Sequence, residues 1–323
     1  MKEIIQNYAK TVTRECYIRA LQGHQYIPQA DQCIEDLTKK FCEQKPIGYR
    51  CTILDLGCGP GRITHRLGSS YSYKVGLDIS PEFIDYAWTK RTNEADPFIS
   101  FQQADFCSDE EIKLLSGKIL KEFDVIVMQG VMHHVHGKDR DIWLKKCHSL
   151  LKPNGILVVG DEFIKDYNSD PERIFNVCQF YMHIIDEARK GGFDELAEEE
   201  AKNLIDDVFS GTKEAGTGNK QLFDDLIYPY AKSFNKHFYE TGPKKFGDMK
   251  HEGEARDLIY ELKKELEKLS KYSEENFNRG DLKVSISKFS NEVIGYGFES
   301  QSRYLIGPVD QLGGMGVLTF TKK

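Results

Sequence analysis

The 323-residue sequence lacks several things whose absence narrows its function. It has no run of 18 apolar residues, the length that crosses a bilayer as a helix. Its opening stretch, MKEIIQNYAKTVTREC, alternates apolar and charged residues and lacks the apolar block of a secretion signal. It has no excess of basic residues: the formal net charge is -7, which argues against general binding to a nucleic-acid backbone. Its eight cysteines contain no CxxC pair, and none falls in the last 145 residues. A disulfide framework or a zinc site would cluster them, so the expectation is a cytoplasmic protein with reduced thiols and no metal.

What is present is ordinary for a globular protein: 40% hydrophobic, 11% aromatic and 29% charged residues, enough to bury a stable core. Residues 1–45 carry apolar positions at helical spacing, including Ile4, Tyr8 and Val12, then Ile34, Leu37 and Phe41. From 51 the pattern alternates strand and helix. Short apolar runs at 51–57, 73–79, 97–105, 123–130 and 155–163 predict five strands. Between them, RITHRLGSS reads as a helix closed by Gly68. Ser80 followed by Pro81 and Glu82 marks a second helix start, and a third helix over 140–152 is stopped by Pro153 and Gly155. Strands joined by helices imply right-handed crossovers and an open, mostly parallel sheet.

The alternation stops at 166. Residues 166–281 carry at least four amphipathic helical stretches, read as a compact helical cap inserted into the chain rather than a linker. The tail then resumes with a helix at 284–298 and strands at 302–308 and 316–323, completing a seven-stranded sheet. The expected organisation is an N-terminal helical flap (1–45), a doubly wound core (46–165), a cap that encloses a substrate (166–281) and a core completion (282–323).

Chemistry concentrates in ILDLGCGPGR, 53–62. A phosphate loop of the GxxxxGK[ST] type needs a lysine and a hydroxyl after its last glycine, and here Arg62-Ile63-Thr64 follow. A dinucleotide loop reads GxGxxG, and its third glycine is replaced by Arg62. Asp55, two residues before Gly57, would sit badly beside a pyrophosphate and suits a cationic ligand group. Asp78, 21 residues after Gly57, ends the second strand, where a carboxylate accepts from ribose hydroxyls. Asp105 ends the third strand, where it can accept from an adenine amine, with Phe106 or Ile79 against the ring. Adenine, ribose and a charged aminoacyl arm describe S-adenosylmethionine.

The ordered set ILDLGCGPGR, VGLDIS, QQADF, FDVIVMQGVMHHV and LLKPNGILVVGDE resembles the class I S-adenosylmethionine-dependent methyltransferases. The resemblance implies a Rossmann-like methyltransferase fold, S-adenosyl-L-methionine as donor and S-adenosyl-L-homocysteine as product. It also implies that Asp55, Gly57, Cys58 and Gly59 line the methionine portion, with Gly61 permitting close approach. Asp78 would hold the ribose, Ile79 would pack on adenine, and Asp105 and Phe106 would read the adenine edge. The backbone at Gln129 and Gly130 would meet the amino and sulfonium side.

Four residues are candidates for catalysis. His133 and His134 follow the fourth strand at the ligand-binding edge, where an imidazole could accept a proton from the acceptor; His136 is expected to be exposed. Asp161 and Glu162 follow the fifth strand; adjacent side chains on an extended chain point oppositely, so at most one of them faces the pocket. The expectation is methyl transfer to a small-molecule oxygen, nitrogen or carbon nucleophile, with no membrane or nucleic-acid partner and with the cap also able to form contacts within a homodimer. A protein or RNA methyltransferase, and a protein that binds the donor without transferring its methyl group, are the alternatives.

Overall fold

A computed structural model describes His24, residues 26–68, 72–90, 98–135 and 137–169, eight positions between 172 and 184, and residues 282–322. The rest of the expected cap and flap, and His136, lie outside the described residues.

Seven strands form one sheet in the order β3-β2-β1-β6-β7-β9-β8. They are β1 (Thr52–Leu56), β2 (Tyr73–Asp78), β3 (Ile99–Gln103), β6 (Phe123–Gln129), β7 (Leu151–Phe163), β8 (Phe298–Ile306) and β9 (Gly314–Lys322). The pairs β1–β2, β2–β3, β1–β6 and β6–β7 are parallel, whereas β9 runs antiparallel to both β7 and β8. This is the expected seven-stranded, mostly parallel, doubly wound sheet.

The central strands are apolar on both faces because helices cover both. Ile53, Val125, Val127 and Val158 face Ile34 of helix α1 (Ile27–Glu43) and Ile63. Leu54, Leu56, Ile126, Met128 and Leu157 point the other way, toward Leu144 of helix α3 (Gly137–Leu150) and Phe289 of helix α4 (Ile286–Gly295). Helix α2 (Pro81–Thr89) starts as its sequence predicts: the Ser80 hydroxyl accepts from the Phe83 N–H at 3.2 Å, with Pro81 in the first turn. Ser285 caps α4 in the same way, accepting from the Lys288 N–H at 3.4 Å.

Four local expectations are corrected. Residues 61–68 form a series of turns rather than an α-helix, since the glycine loop and Gly68 (φ +63°) leave too short a stretch between them. The strand expected from 155 begins at Leu151, directly after α3, and its backbone kinks at Asn154, which adopts φ +60°. A two-stranded hairpin, β4 (Ile112–Lys113) and β5 (Ile119–Leu120), occupies a stretch assigned to no element. The final two strands begin earlier than expected, at 298 and 314. The described positions between 172 and 184 are helical, as expected for the start of the cap segment. Among the described residues, no helix is long and apolar enough to cross a membrane.

Candidate active site

The order of the strands reverses between β1 and β6, so the crossovers leave in opposite directions and a crevice opens at the carboxyl ends of these strands. The motif residues all arrive at that edge: Asp55 near the end of β1, Asp78 closing β2, Asp105 just after β3, Gln129 closing β6, and Asp161 and Glu162 near the end of β7.

The glycine loop departs from β1 with Gly57, Gly59 and Gly61 all at positive φ. Two of them answer to crowding. A Cβ on Gly57 would lie 2.4 Å from Val131, and one on Gly61 would lie 2.8 Å from Phe101. Gly59 differs: a Cβ there meets nothing within 4 Å, and the same holds for Gly130 (φ +66°) across the crevice. Both glycines therefore border open space. The N–H groups of Gly57 and Cys58 donate to the Leu77 carbonyl, pinning the loop to β2. Cys58 is buried, and burial pushes its thiol far above the ordinary value, so it is a packing residue and not a nucleophile.

Asp78 is partly exposed and accepts from the Gly59 N–H at 2.8 Å and the Ser80 N–H at 2.9 Å, one on each carboxylate oxygen. Burial raises its carboxyl, while these N–H groups and that of Ile79 pull it back. Each oxygen keeps a lone pair for a further donor. Asp55 is 1% exposed and accepts one bond, 2.6 Å from the Thr64 hydroxyl. Burial and the nearby Asp78 push its carboxyl up to about 7. Ile79 is half-buried beside this crevice. Asp105 is half-buried and accepts from the Cys107 N–H at 3.0 Å, an Asx turn. Phe106 is placed differently from the expectation of a ring against adenine: its ring lies in the core, edge-on to Trp143 at 5.2 Å. Asp55, Asp78 and Asp105 lie at the carboxyl ends of adjacent strands, with Ile79 next to Asp78.

On the other side of the crevice two acids of β7 diverge, as the strand alternation requires. Asp161 is 2% exposed and binds His133, its Oδ1 lying 2.5 Å from Nδ1. Asp161 Oδ2 accepts from the Met132 N–H at 2.7 Å and the His133 N–H at 3.3 Å, and Oδ1 from the Glu162 N–H at 2.7 Å. A carboxylate only accepts, so the Nδ1 of His133 carries the hydrogen. The His134 ring, half-buried, lies against His133 with centroids 3.8 Å apart. Glu162 turns the other way and pairs with Lys283 at 2.6 Å and His24 at 3.3 Å. Burial would raise the Glu162 carboxyl, but the Lys283 ammonium, with His24 and His133, holds it well below the usual carboxylate range. Glu162 is thus held as the counter-ion of Lys283, whereas Asp161 is the acid that binds His133.

Several residues of this edge were not singled out from sequence. Lys283, 1% exposed, follows the inserted segment, and His24 precedes α1; neither carries a spacing signal toward Glu162. Asp31 on α1 did carry one: it shares the buried face of Ile27 and Ile34, an unusual place for an acid. It pairs with Arg62 of the glycine loop and with Arg66, and it accepts from the Gln129 amide at 3.2 Å. Gln129 Oε1 is buried without a hydrogen-bond partner among the described residues and packs over Gly160, where a Cβ would leave it no room. Among the described residues no group of His, Cys, Asp and Glu could hold a metal ion.

Residues 54–157 match a family model described as a methyltransferase domain. Over 158 residues the chain is 28% identical to the N-terminal Xaa-Pro-Lys N-methyltransferase 1 of Xenopus tropicalis, covering 48% of this chain and 67% of that one. It is also 28% identical over 162 residues to the ubiquinone biosynthesis O-methyltransferase of Coxiella burnetii, covering 46% of this chain and 64% of the other. Among solved structures, PKMT2 from Rickettsia typhi in complex with AdoHcy superposes with a TM-score of 0.47 at 13% identity, covering 91% of this chain and 54% of that one. With the ordered motifs and the switch-point crevice in place, residues 54–157 are a methyltransferase domain, set on the seven-stranded sheet of the Rossmann-like methyltransferase fold.

Proposed function

We propose that the protein methylates a small-molecule acceptor bearing an ionisable O–H or N–H, with His133 as the proton acceptor and Asp161 as its positioning residue. The observation that carries this reading is the His133–Asp161 pair at 2.5 Å, on the strand edge that borders the glycine loop, beside a Glu162 already neutralised by Lys283. With Nδ1 held by the carboxylate, Nε2 is the nitrogen that takes a proton. His134 flanks that ring and limits how it can turn.

The pocket fits the donor. Two glycines border open space, the Asp78 carboxylate keeps lone pairs for ribose hydroxyls, and the buried Asp55 has no cation paired with it among the described residues. Asp55, Gly57, Cys58, Gly59 and Gly61 would surround the methionine portion, and Asp78 would hold the ribose. Ile79 and Asp105 would take the adenine, with Phe106 supporting their loop from the core. Gln129 and Gly130 would close the sulfonium side. When bound, S-adenosylmethionine supplies a sulfonium methyl group open to in-line attack. The chain's own residues then align the acceptor, exclude water and remove the proton that the acceptor must lose.

Enclosure supports a small acceptor. His24 before α1 and Lys283 after the inserted segment both reach Glu162 near the end of β7, and the Tyr26 hydroxyl, two residues from His24, meets His183 Nε2 at 2.7 Å. In this reading 1–45 is a flap, 46–165 and 282–323 form the donor core, and 166–281 is the cap that selects the acceptor. A second reading, methylation of a protein amino terminus, is favoured by the activity named for the Xenopus relative. Incubation with methyl-labelled donor and fractionated extract separates the two. Label in the low-molecular-mass fraction is expected, and label confined to protein would overturn the small-molecule assignment.

A further inference from the structure

Buried charges in proteins are paired, and an acid without a cation holds its proton instead. Among the described residues Asp55 is a buried acid of the donor crevice with no such cation. Its partners come from three sides. The loop after β1 brings the Thr64 hydroxyl and the neutral Cys58 thiol; β2 brings Gly76 in register and Asp78 at its end; β6 brings Val127 in register. Among the described residues none of these is a cation, and Asp78 is a second negative charge.

The two acids are not equivalent. Asp78 has backbone N–H groups on both oxygens, from Gly59 and Ser80, whereas Asp55 has a single hydroxyl. Hydrogen bonds to the charged form favour it, so of the two Asp55 is the one that keeps a proton. Burial and Asp78 together push its carboxyl up to about 7.

We propose that Asp55 makes the donor pocket select for positive charge, and that donor binding drives a proton from its carboxyl group into solvent. The inference rests on the donor reading above. No covalent bond between protein and ligand forms: the O–H bond of the Asp55 carboxyl breaks, its electron pair stays on the carboxylate, and the proton passes to the buffer base. The cationic ligand then takes the place of the lost proton as the counter-charge. An acid that waits protonated avoids the cost of a bare buried carboxylate in the empty pocket, and it penalises ligands that bring no positive charge.

The test is calorimetric titration of the full chain with S-adenosylmethionine and with S-adenosylhomocysteine, each in two buffers of different ionisation enthalpy. Roughly half a proton released per bound donor is expected near pH 7, and about nine-tenths near pH 6, with affinity about tenfold weaker near pH 6 than near pH 8. Release with both ligands assigns the effect to the ammonium they share; release with the donor alone assigns it to the sulfonium. Either supports the inference. Binding with no buffer dependence near pH 6 overturns it, whereas no binding of either ligand overturns the donor reading instead. Asp55→Asn should bind with no proton release, and release equal to that of the parent protein would overturn the assignment to Asp55. If that variant fails to fold, Thr64→Val serves: loss of the hydroxyl should move release near pH 7 from about half a proton toward one. An unchanged value there counts against the inference.

Discussion

Replacing Asp161 with Asn tests the acid–histidine pair most directly, because it changes charge and hydrogen-bonding capacity while keeping shape. Four donors converge on the two carboxylate oxygens: the N–H groups of Met132, His133 and Glu162, and Nδ1 of His133. An amide has one acceptor oxygen. Turned toward Met132 and His133, it leaves its NH2 facing the Glu162 N–H, donor against donor, and facing His133 Nδ1. The ring relieves the second conflict by moving its hydrogen to Nε2, the nitrogen required for proton uptake. One charge-assisted bond is lost and one buried N–H loses its acceptor, for a combined destabilisation of about 2–4 kcal/mol. Denaturant unfolding measures that loss. Imidazole 15N chemical shifts measure the tautomer, with Nδ1–H in the parent and Nε2–H in the variant. Methyl transfer to the identified acceptor should fall on the order of 10²–10⁴-fold while donor affinity stays within about twofold. An unchanged His133 tautomer, or turnover within about twofold of the parent at intact donor affinity, refutes the pairing as the catalytic arrangement.

Three further outcomes follow from the same geometry. Asp78→Ala removes the acceptor that faces the crevice, and donor affinity measured by titration should drop about a hundredfold, the loss of two hydroxyl bonds to a charged group; a change below about threefold removes the ribose role. Gly57→Ala should destabilise the fold more than Gly130→Ala. Both positions have positive φ, but only the first adds a collision with Val131, so a difference of about 1–3 kcal/mol in chemical denaturation is expected. Asp55 also sets a pH dependence. Its folded carboxyl lies near 7 against an unfolded value of 3.8, so its share of stability is present below the unfolded value and is lost as pH rises toward 7, by at most about 4 kcal/mol. Asp55→Asn should flatten the stability profile of the ligand-free protein between those limits, and a profile identical to the parent's would count against the shift.

How much of this was legible in the sequence depended on whether the relevant physics is local. The strands at 52–56 and 123–129 are short continuous apolar runs, and the start of α2 is written in Ser80, Pro81 and Glu82. The gathering of these residues at one edge was legible too, because Asp55, the glycines, Asp78 and Asp105 each sit at a strand end, and parallel strands bring their carboxyl ends together. The turns at 61–68 were misread as a helix because apolar spacing says nothing of a loop that must stay bound to β2 through the N–H groups of Gly57 and Cys58. The ring of Phe106 was misread because the sequence does not show Trp143 waiting behind it.

The sequence by itself determined the sheet, its parallel character and which acids lie at the strand ends, since periodicity and strand-end position are properties of short segments. Only the tertiary structure decided which acid does what. Asp161 and Glu162 are neighbours in the chain with equivalent chemistry, and nothing local separates them. Their roles diverge because Lys283 and His24, distant in sequence, fold against one, and His133 folds against the other. Charge pairing acts through space, and only folding sets the distances.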